Sequence, residues 1–186
     1  MRLNFTSKVW FGPQPVFVIG TYNEDGTANA MTCVWAGQVG EREIVLSLAK
    51  DHITTKNIRA RGEFTISIAT EEMVKQVDYV GISSLEYVKD KMDHVNFTEE
   101  HAQFVDAPVF KEFPVTMECK LFDYNEKTEI AIAGIVNMPI EKSVLAANGK
   151  PDPAKYKPLV YDSVNQNYMS MGGKVARAFS VGKELR

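Results

Sequence analysis

The chain has 186 residues, of which 45% are hydrophobic, and this length and composition suit a single globular domain over residues 1–186. Its formal net charge is -3, from 21 basic and 24 acidic residues with no block of one sign, which argues against nucleic acid as a partner. The two cysteines, Cys33 and Cys119, are too few for the disulfide framework of a secreted scaffold, so reduced thiols are expected.

The apolar run near the N-terminus is interrupted by Gly12, Pro13 and Pro15. It is too short and too broken for a signal peptide or a membrane-spanning helix. The sequence therefore predicts a cytoplasmic protein with no membrane partner.

The first half of the chain predicts four strands and two short helices. Alternating and β-branched residues predict strands at 15–22, 27–35, 43–50 and 63–70, with turns at 23–26 and 37–41. One helix is predicted within 51–62, where Gly62 supplies the stop signal. The apolar spacing of Met73, Val77 and Val80 predicts a second helix within 71–81.

The second half predicts more strands after a long excursion. Residues 82–110 are charged and irregular, with a helical turn predicted at 98–104. Strands at 114–125 and 129–140 form a hairpin, 147–158 is a loop, and 159–173 is a hairpin that turns at 165–167. Strands at short spacing with brief helices between them predict a mainly β fold, an antiparallel barrel that is closed or nearly closed.

Common nucleotide, nucleophile and metal motifs are not found. The sequence contains neither GxGxxG nor GxxxxGK[ST], and it has no nucleophile elbow. The histidines His52, His94 and His101 do not share a metal-ligand spacing, so no metal site is predicted. The charged stretch 93–101 would supply ligands only if folded suitably, and a solvated face is commoner for such stretches.

Three stretches, 29–35, 47–58 and 88–93, suggest one ligand. Residues 47–58 run from a strand into a helix start and combine the hydroxyls of Thr54 and Thr55 with the charge of Lys50. A helix start has free backbone N–H groups and a favourable dipole, so it suits a phosphate. The strand 29–35 offers polar groups to the edge of a flat heterocycle. Flavin mononucleotide, FMN, has a phosphate at one end and a flat heterocycle at the other.

The chain resembles the flavin reductase-like FMN-binding split-barrel family, and within it the flavoredoxin-like branch. The resemblance rests on seven sequence blocks in the family's order, and it covers nearly the whole chain. The blocks are PVFVIGTYNEDGTANAMTCVWAG, VLSLAKDHITTKNI, GEFTISI, VDYVGISS, KDKMD, MECKL and MGGKVARAFSVGK. The resemblance implies a Greek-key split barrel that forms a homodimer and binds FMN close to the subunit interface. Ser84 departs from the pattern, because many relatives have Gly at that place.

By the same resemblance, a set of positions is implied as FMN contacts. The flavin-facing strand supplies Asn29, Met31, Thr32, Cys33 and Trp35. The ring and phosphate are contacted by Ser47, Leu48, Ala49, His52, Thr54 and Thr55, and Lys91 is a flavin or phosphate contact. An alternative interpretation makes Trp35 and Leu48 ordinary core residues and Cys33 a buried small hydrophobe without redox chemistry.

With FMN bound, the cofactor would carry the chemistry, so no catalytic acid, base or nucleophile is predicted. We expect the Thr32 hydroxyl near the ring nitrogen that accepts electrons. The expected function is an oxidoreductase that passes electrons from a reduced nicotinamide, NAD(P)H, or a redox protein through FMN to an acceptor. Two alternatives remain: a non-catalytic FMN electron carrier between proteins, and a flavin-free dimeric barrel that serves as a binding module.

Overall fold

The computed structural model describes Arg2, Asn4 and residues 10–185, so the outermost ends of the predicted 1–186 domain lie outside the described residues. The strands are β1 Gln14–Pro15, β2 Phe17–Tyr22, β3 Ala28–Cys33, β4 Ala36–Gln38, β5 Glu43–Ser47, β6 Glu63–Ile68, β7 Glu99–His101, β8 Pro108–Phe110, β9 Thr116–Asn125, β10 Ile130–Asn137, β11 Leu159–Asp162 and β12 Asn167–Ser170. The α-helices are α1 Ile53–Arg61, α2 Val74–Ile82 and α3 Pro153–Tyr156. Short 3₁₀ turns occupy Glu71–Met73, Lys91–His94, Lys142–Val144 and Val181–Leu185.

The main sheet has seven strands in the order β3-β2-β6-β9-β10-β5-β4, and every neighbouring pair is antiparallel. Two small sheets accompany it, β1-β11-β12 and β7-β8. The predicted mainly β, antiparallel fold with short helices is therefore confirmed.

The two edge strands of the main sheet are joined by a very short connection. Only Val34 and Trp35 separate the end of β3 from the start of β4, and three Cα steps span at most roughly 11 Å. The Ser47 N–H also donates a hydrogen bond to the Trp35 carbonyl at 2.8 Å. Both edges of the curled sheet consequently meet here, and we call this place the seam.

Two apolar clusters hold the sheet from its two sides. Inside the curl, Phe64 and Ile66 of β6 pack in one cluster with Leu46 of β5. Ile58 of α1 belongs to the same cluster. On the other side of β2, Val18 packs in a second cluster that includes helix α2. Because β2 is buried on both faces, it is apolar at nearly every position, unlike a strand with one solvated face.

Most predicted elements are confirmed, and the errors concern short ones. Gly62 ends α1 as predicted, with a φ of 72° and its N–H bonded to the Ile58 carbonyl at 2.8 Å. The helical turn predicted at 98–104 is wrong, because Glu99–His101 is a strand whose backbone pairs with Pro108–Phe110. The three-residue β4 extends over the first two positions of the turn predicted at 37–41, and the four-residue α3 lies within the predicted loop.

Among the described residues, no helix combines the length and the apolar character needed to cross a bilayer.

Candidate functional site

A cavity of about 510 Å³ opens at the seam, and we call it the seam cavity. The end of β3, the 34–35 connection and the end of β5 form one wall, and helix α2 and strands β11 and β12 form the other. Seven of the predicted FMN contacts line it: Met31, Thr32, Cys33, Trp35, Ser47, Leu48 and His52.

A second cavity of about 210 Å³ adjoins the first at the beginning of α1, and we call it the helix-start cavity. Met31 and His52 line both cavities, so the two are contiguous. Asn29, Thr54 and Lys91 from the predicted set line the helix-start cavity. Ala49 and Thr55 line neither cavity, although Ala49 follows Leu48 directly and Thr55 follows Thr54.

Lys91 places a buried cation beside the helix start. Its side chain is only 2% exposed, and Nζ donates a hydrogen bond to the Ala30 carbonyl at 2.7 Å. No carboxylate of the described residues pairs with it, and burial lowers its pKa to about 8. A buried charge without a partner is costly, so this ammonium group favours an anion in the adjoining cavity.

Two buried polar atoms, one in β3 and one in α1, have no hydrogen-bond partner. Asn29 is 1% exposed, its Nδ2 donates to Thr54 Oγ1 at 2.8 Å, and its Oδ1 has no hydrogen-bond partner. The Oγ1 of fully buried Thr55 is likewise unpaired. Rotating the Asn29 amide by 180° would let the Thr54 hydroxyl donate to Oδ1 and would turn the unpaired group into an N–H donor.

The beginning of α1 adds backbone donors to this group. The first N–H groups of any α-helix have no intrahelical acceptor. In α1, which follows His52, no side chain caps these groups. The helix dipole adds partial positive charge at the same end. Together with Lys91, these donors give the helix-start cavity the chemistry of a phosphate site.

Thr32 and Cys33 have environments that limit their chemistry. The Thr32 hydroxyl donates to the Val77 carbonyl, so it is free to accept a hydrogen bond but not to donate one. Burial raises the pKa of the Cys33 thiol to about 11, so at neutral pH it is a thiol and not a nucleophilic thiolate. The interpretation of Cys33 as a small buried hydrophobe fits this environment.

Trp35 and Leu48 differ in how far their side chains are buried. Leu48 is buried in the inner apolar cluster, and its carbonyl accepts a hydrogen bond from the Tyr124 hydroxyl at 2.8 Å. Trp35 is 53% exposed, which is too much for a core residue. Its ring therefore lies at the rim of the seam cavity, where a ligand would cover it.

The second wall of the seam cavity was not predicted from the sequence. It includes Asp78, Gly81 and Ile82 of α2 and Tyr161 and Tyr168 of the β11-β12 hairpin. The Tyr168 hydroxyl donates to Asp78 Oδ1 at 3.1 Å, and burial, followed by the charge of Asp78, raises the pKa of Tyr168 to about 12. The helical spacing of 78, 81 and 82 puts those three residues on one face, but no local signal joins that face to the β11-β12 hairpin.

No group of three or more His, Cys, Asp or Glu side chains suitable for a metal ion occurs among the residues that the structure describes.

Comparison with known proteins identifies what the chain is similar to. A family model described as flavin reductase like domain matches residues 12–170. Flavoredoxin of Desulfovibrio vulgaris (Miyazaki F) is 35% identical with a TM-score of 0.92, over 98% of this chain and 100% of that chain. Flavoredoxin from Methanosarcina acetivorans is 27% identical with a TM-score of 0.90, over 100% of both chains. These similarities confirm the predicted resemblance and the split-barrel fold.

For a more distant neighbour, the similarity shows only a common fold. It is an FMN-binding domain of a flavin reductase-like enzyme from Shewanella baltica OS155, at 18% identity and a TM-score of 0.79, over 88% of this chain and 89% of that chain.

The buried ammonium group of Lys91 predicts a specific pH dependence of stability in the flavin-free chain. The pKa of Lys91 is about 8 in the folded state against 10.5 for an ordinary lysine, so between these values the unfolded chain binds more protons. Stability contributed by this site therefore rises with pH through that range, and below it the full cost of burying the charge applies. Relative to Lys91→Met, the free energy of unfolding of the natural chain should increase by about 2 kcal/mol from about pH 7.5 to about pH 9.5.

Urea unfolding of both proteins across this pH range measures the difference. Titration of all other groups cancels in the comparison. A difference that stays constant with pH would contradict the burial of an unpaired charge at Lys91.

Proposed function

Because the chain belongs to the flavin reductase-like domain family, we propose that it binds FMN across the seam and helix-start cavities and acts as an FMN-dependent oxidoreductase. The observation that carries the proposal is the buried, unpaired cation of Lys91 beside uncapped helix donors, contiguous with a larger cavity. The small polar cavity suits a phosphate, and the larger one suits a planar ring system.

The chain's residues divide into two groups by the part of FMN they would hold. Lys91, Thr54 and the first N–H groups of α1 would hold the phosphate, with Asn29 as a further polar group there. The ring would lie along β3 and the end of β5, against Met31, Thr32, Cys33, Trp35, Ser47, Leu48 and His52. Contacts from Ala49 and Thr55, which line neither cavity, stay predictions from the resemblance.

When bound, FMN supplies the redox chemistry, accepting electrons from a donor and passing them to an acceptor. The protein contributes binding, orientation and a defined electrostatic environment. Thr32 Oγ1 presents an acceptor toward the seam cavity, since its proton is held by the Val77 carbonyl. No side chain is assigned as an acid, base or nucleophile.

Replacing Lys91 with Met should weaken FMN binding far more than riboflavin binding, because riboflavin has no phosphate. Loss of one charge-assisted hydrogen bond predicts a decrease in FMN affinity of about 10- to 100-fold. Riboflavin affinity should change by less than about threefold, since that ligand does not use the ammonium group. Quenching of flavin fluorescence on titration with the protein measures both.

Lys127→Met is the matched control, because Lys127 is exposed and lines neither cavity. Equal losses of FMN and riboflavin affinity in Lys91→Met would contradict a phosphate site at Lys91. A natural chain that is colourless after incubation with FMN and removal of unbound FMN would favour the flavin-free binding module.

Reduction by candidate electron donors is the second test of the proposal. The seam cavity opens to solvent beside Trp35, so a small reductant should reach a ring bound there. Anaerobic titration with NADH and with NADPH should bleach the visible flavin absorbance in at least one case. Reduction by a redox protein but by neither nicotinamide would favour the electron carrier, a role that the similarity to flavoredoxin also allows.

We also propose that the chain forms a homodimer through the outer face of β9, β10 and β5. Phe122 is 64% exposed and lies over Gly134, and Ile132 and Val136 on the same side of β10 are 37% and 38% exposed. Ile132 pairs with Val45 of β5, which extends this apolar patch across the strands. A contiguous exposed apolar patch typically marks a protein interface.

Phe122→Glu should convert the dimer to a monomer, because it places a charge in an apolar patch that the dimer would bury. Sedimentation velocity measures the mass against the 20.8 kDa of one chain. Tyr87→Glu is the control, since Tyr87 is 81% exposed and lies outside the patch. A natural chain that sediments as a monomer would contradict the proposal.

A further inference from the structure

The loop 48–52 connects β5 to α1 and borders both cavities of the proposed flavin site. Leu48 lines the seam cavity, His52 lines both cavities, and α1 begins at Ile53. A turn closes within the loop, where the His52 N–H donates to the Ala49 carbonyl at 3.2 Å. The course of this loop therefore determines where the first N–H groups of α1 lie relative to the helix-start cavity.

The β9-β10 hairpin holds this loop through three hydrogen bonds. The Leu48 N–H donates to the Glu129 carbonyl at 2.8 Å, and the Lys50 N–H donates to Glu129 Oε1 at 3.0 Å. The Tyr124 hydroxyl donates to the Leu48 carbonyl at 2.8 Å. We call Tyr124 and Glu129 the loop clamp. Neither residue lines the seam cavity or the helix-start cavity, so the loop clamp can act on a ligand only through the loop.

The backbone of Glu129 has a conformation that favours glycine. Its φ is 57°, in the left-handed region, where a side chain beyond Cα is strained. Glycine would relieve that strain, but it would remove the carboxylate that accepts the Lys50 N–H. A residue held in such a conformation directly before β10 points to a use for its side chain.

Helix α1 is attached to the same hairpin at its other end. Arg59 in the last turn of α1 forms an ion pair with Glu126. The guanidinium carbon of Arg59 also lies 5.1 Å from the centre of the Tyr124 ring. The hairpin therefore contacts α1 near its end and the loop that leads into its start, so both ends of the helix are fixed against one support.

We propose that Glu129 is a positioning residue of the flavin site, which fixes the loop 48–52 with the help of Tyr124. The loop clamp orients the first N–H groups of α1 before the ligand arrives. A loop that is already ordered loses less conformational entropy on binding, and this raises the affinity for the ligand. The inference rests on the proposed function, because the N–H groups that the loop clamp orients would hold the FMN phosphate.

Glu129→Gly and Glu129→Gln separate the hydrogen bond from the charge. Both changes remove one negative charge, which by itself would favour an anionic ligand. Glutamine keeps an oxygen that accepts the Lys50 N–H, whereas glycine has no acceptor and relieves the backbone strain. FMN affinity, measured by quenching of flavin fluorescence, should fall about tenfold in Glu129→Gly and stay within about threefold of the natural value in Glu129→Gln. Urea unfolding of the flavin-free proteins checks that both variants are folded.

Hydrogen exchange of the Lys50 N–H measures the loop directly, without flavin. Exchange in the flavin-free chain should be about tenfold faster in Glu129→Gly than in Glu129→Gln, because only the glutamine variant keeps an acceptor for this group. Lys157→Gly is the matched control, since Lys157 is exposed, has a φ of 45° and lines neither cavity. It should change neither the FMN affinity nor the exchange of the Lys50 N–H.

The outcomes distinguish this inference from the proposed function. If the natural chain binds FMN and Glu129→Gly binds it as tightly as Glu129→Gln does, the inference is overturned and the proposed function stands. Equal exchange rates of the Lys50 N–H in the two variants would also overturn the inference. If the natural chain binds no flavin, the proposed function fails and the inference fails with it.

Discussion

The two-residue connection between β3 and β4 is the constraint on which the site depends. These strands are the opposite edges of a seven-stranded sheet, and a link of Val34 and Trp35 cannot join them unless the sheet curls until its edges meet. The curl encloses the inner apolar cluster and brings the ends of β3 and β5 together. The seam cavity is the space left where that closure is incomplete.

Lys91 shows how such a site conflicts with stability. Its ammonium group is buried with one carbonyl acceptor, and no carboxylate in the described part of the chain pairs with it, which destabilises the flavin-free chain at neutral pH. An anion in the helix-start cavity would supply the missing partner. The binding free energy would then include relief of that cost, so affinity for the anion and instability without it have the same origin.

Local signals in the sequence were sufficient for most of the fold, and they indicated the stretches that line one wall of the seam cavity. The turn at 23–26 and the flanking β-branched residues identify β2 and β3, and Gly62 identifies the end of α1. The β7-β8 pair was missed, because three-residue strands have too few positions for an alternating pattern. The contact between Asp78 and Tyr168 joins residues 90 positions apart, and no local pattern records it. The burial of Lys91 also depends on tertiary packing, since Lys89, Asp90 and Asp93 around it in the sequence are charged.

The distribution of charge along the seam and helix-start cavities favours one direction in which an elongated anion would bind. Asp78 lines the seam cavity, and Lys91 lines the helix-start cavity. A phosphate placed in the seam cavity would face the Asp78 carboxylate and lose the Lys91 contact. A ligand with an uncharged ring at one end and a phosphate at the other therefore has one favourable orientation, with the ring beside β3 and the phosphate at the helix start. Binding in this orientation exposes one edge of the ring at the seam, where a donor or acceptor can approach.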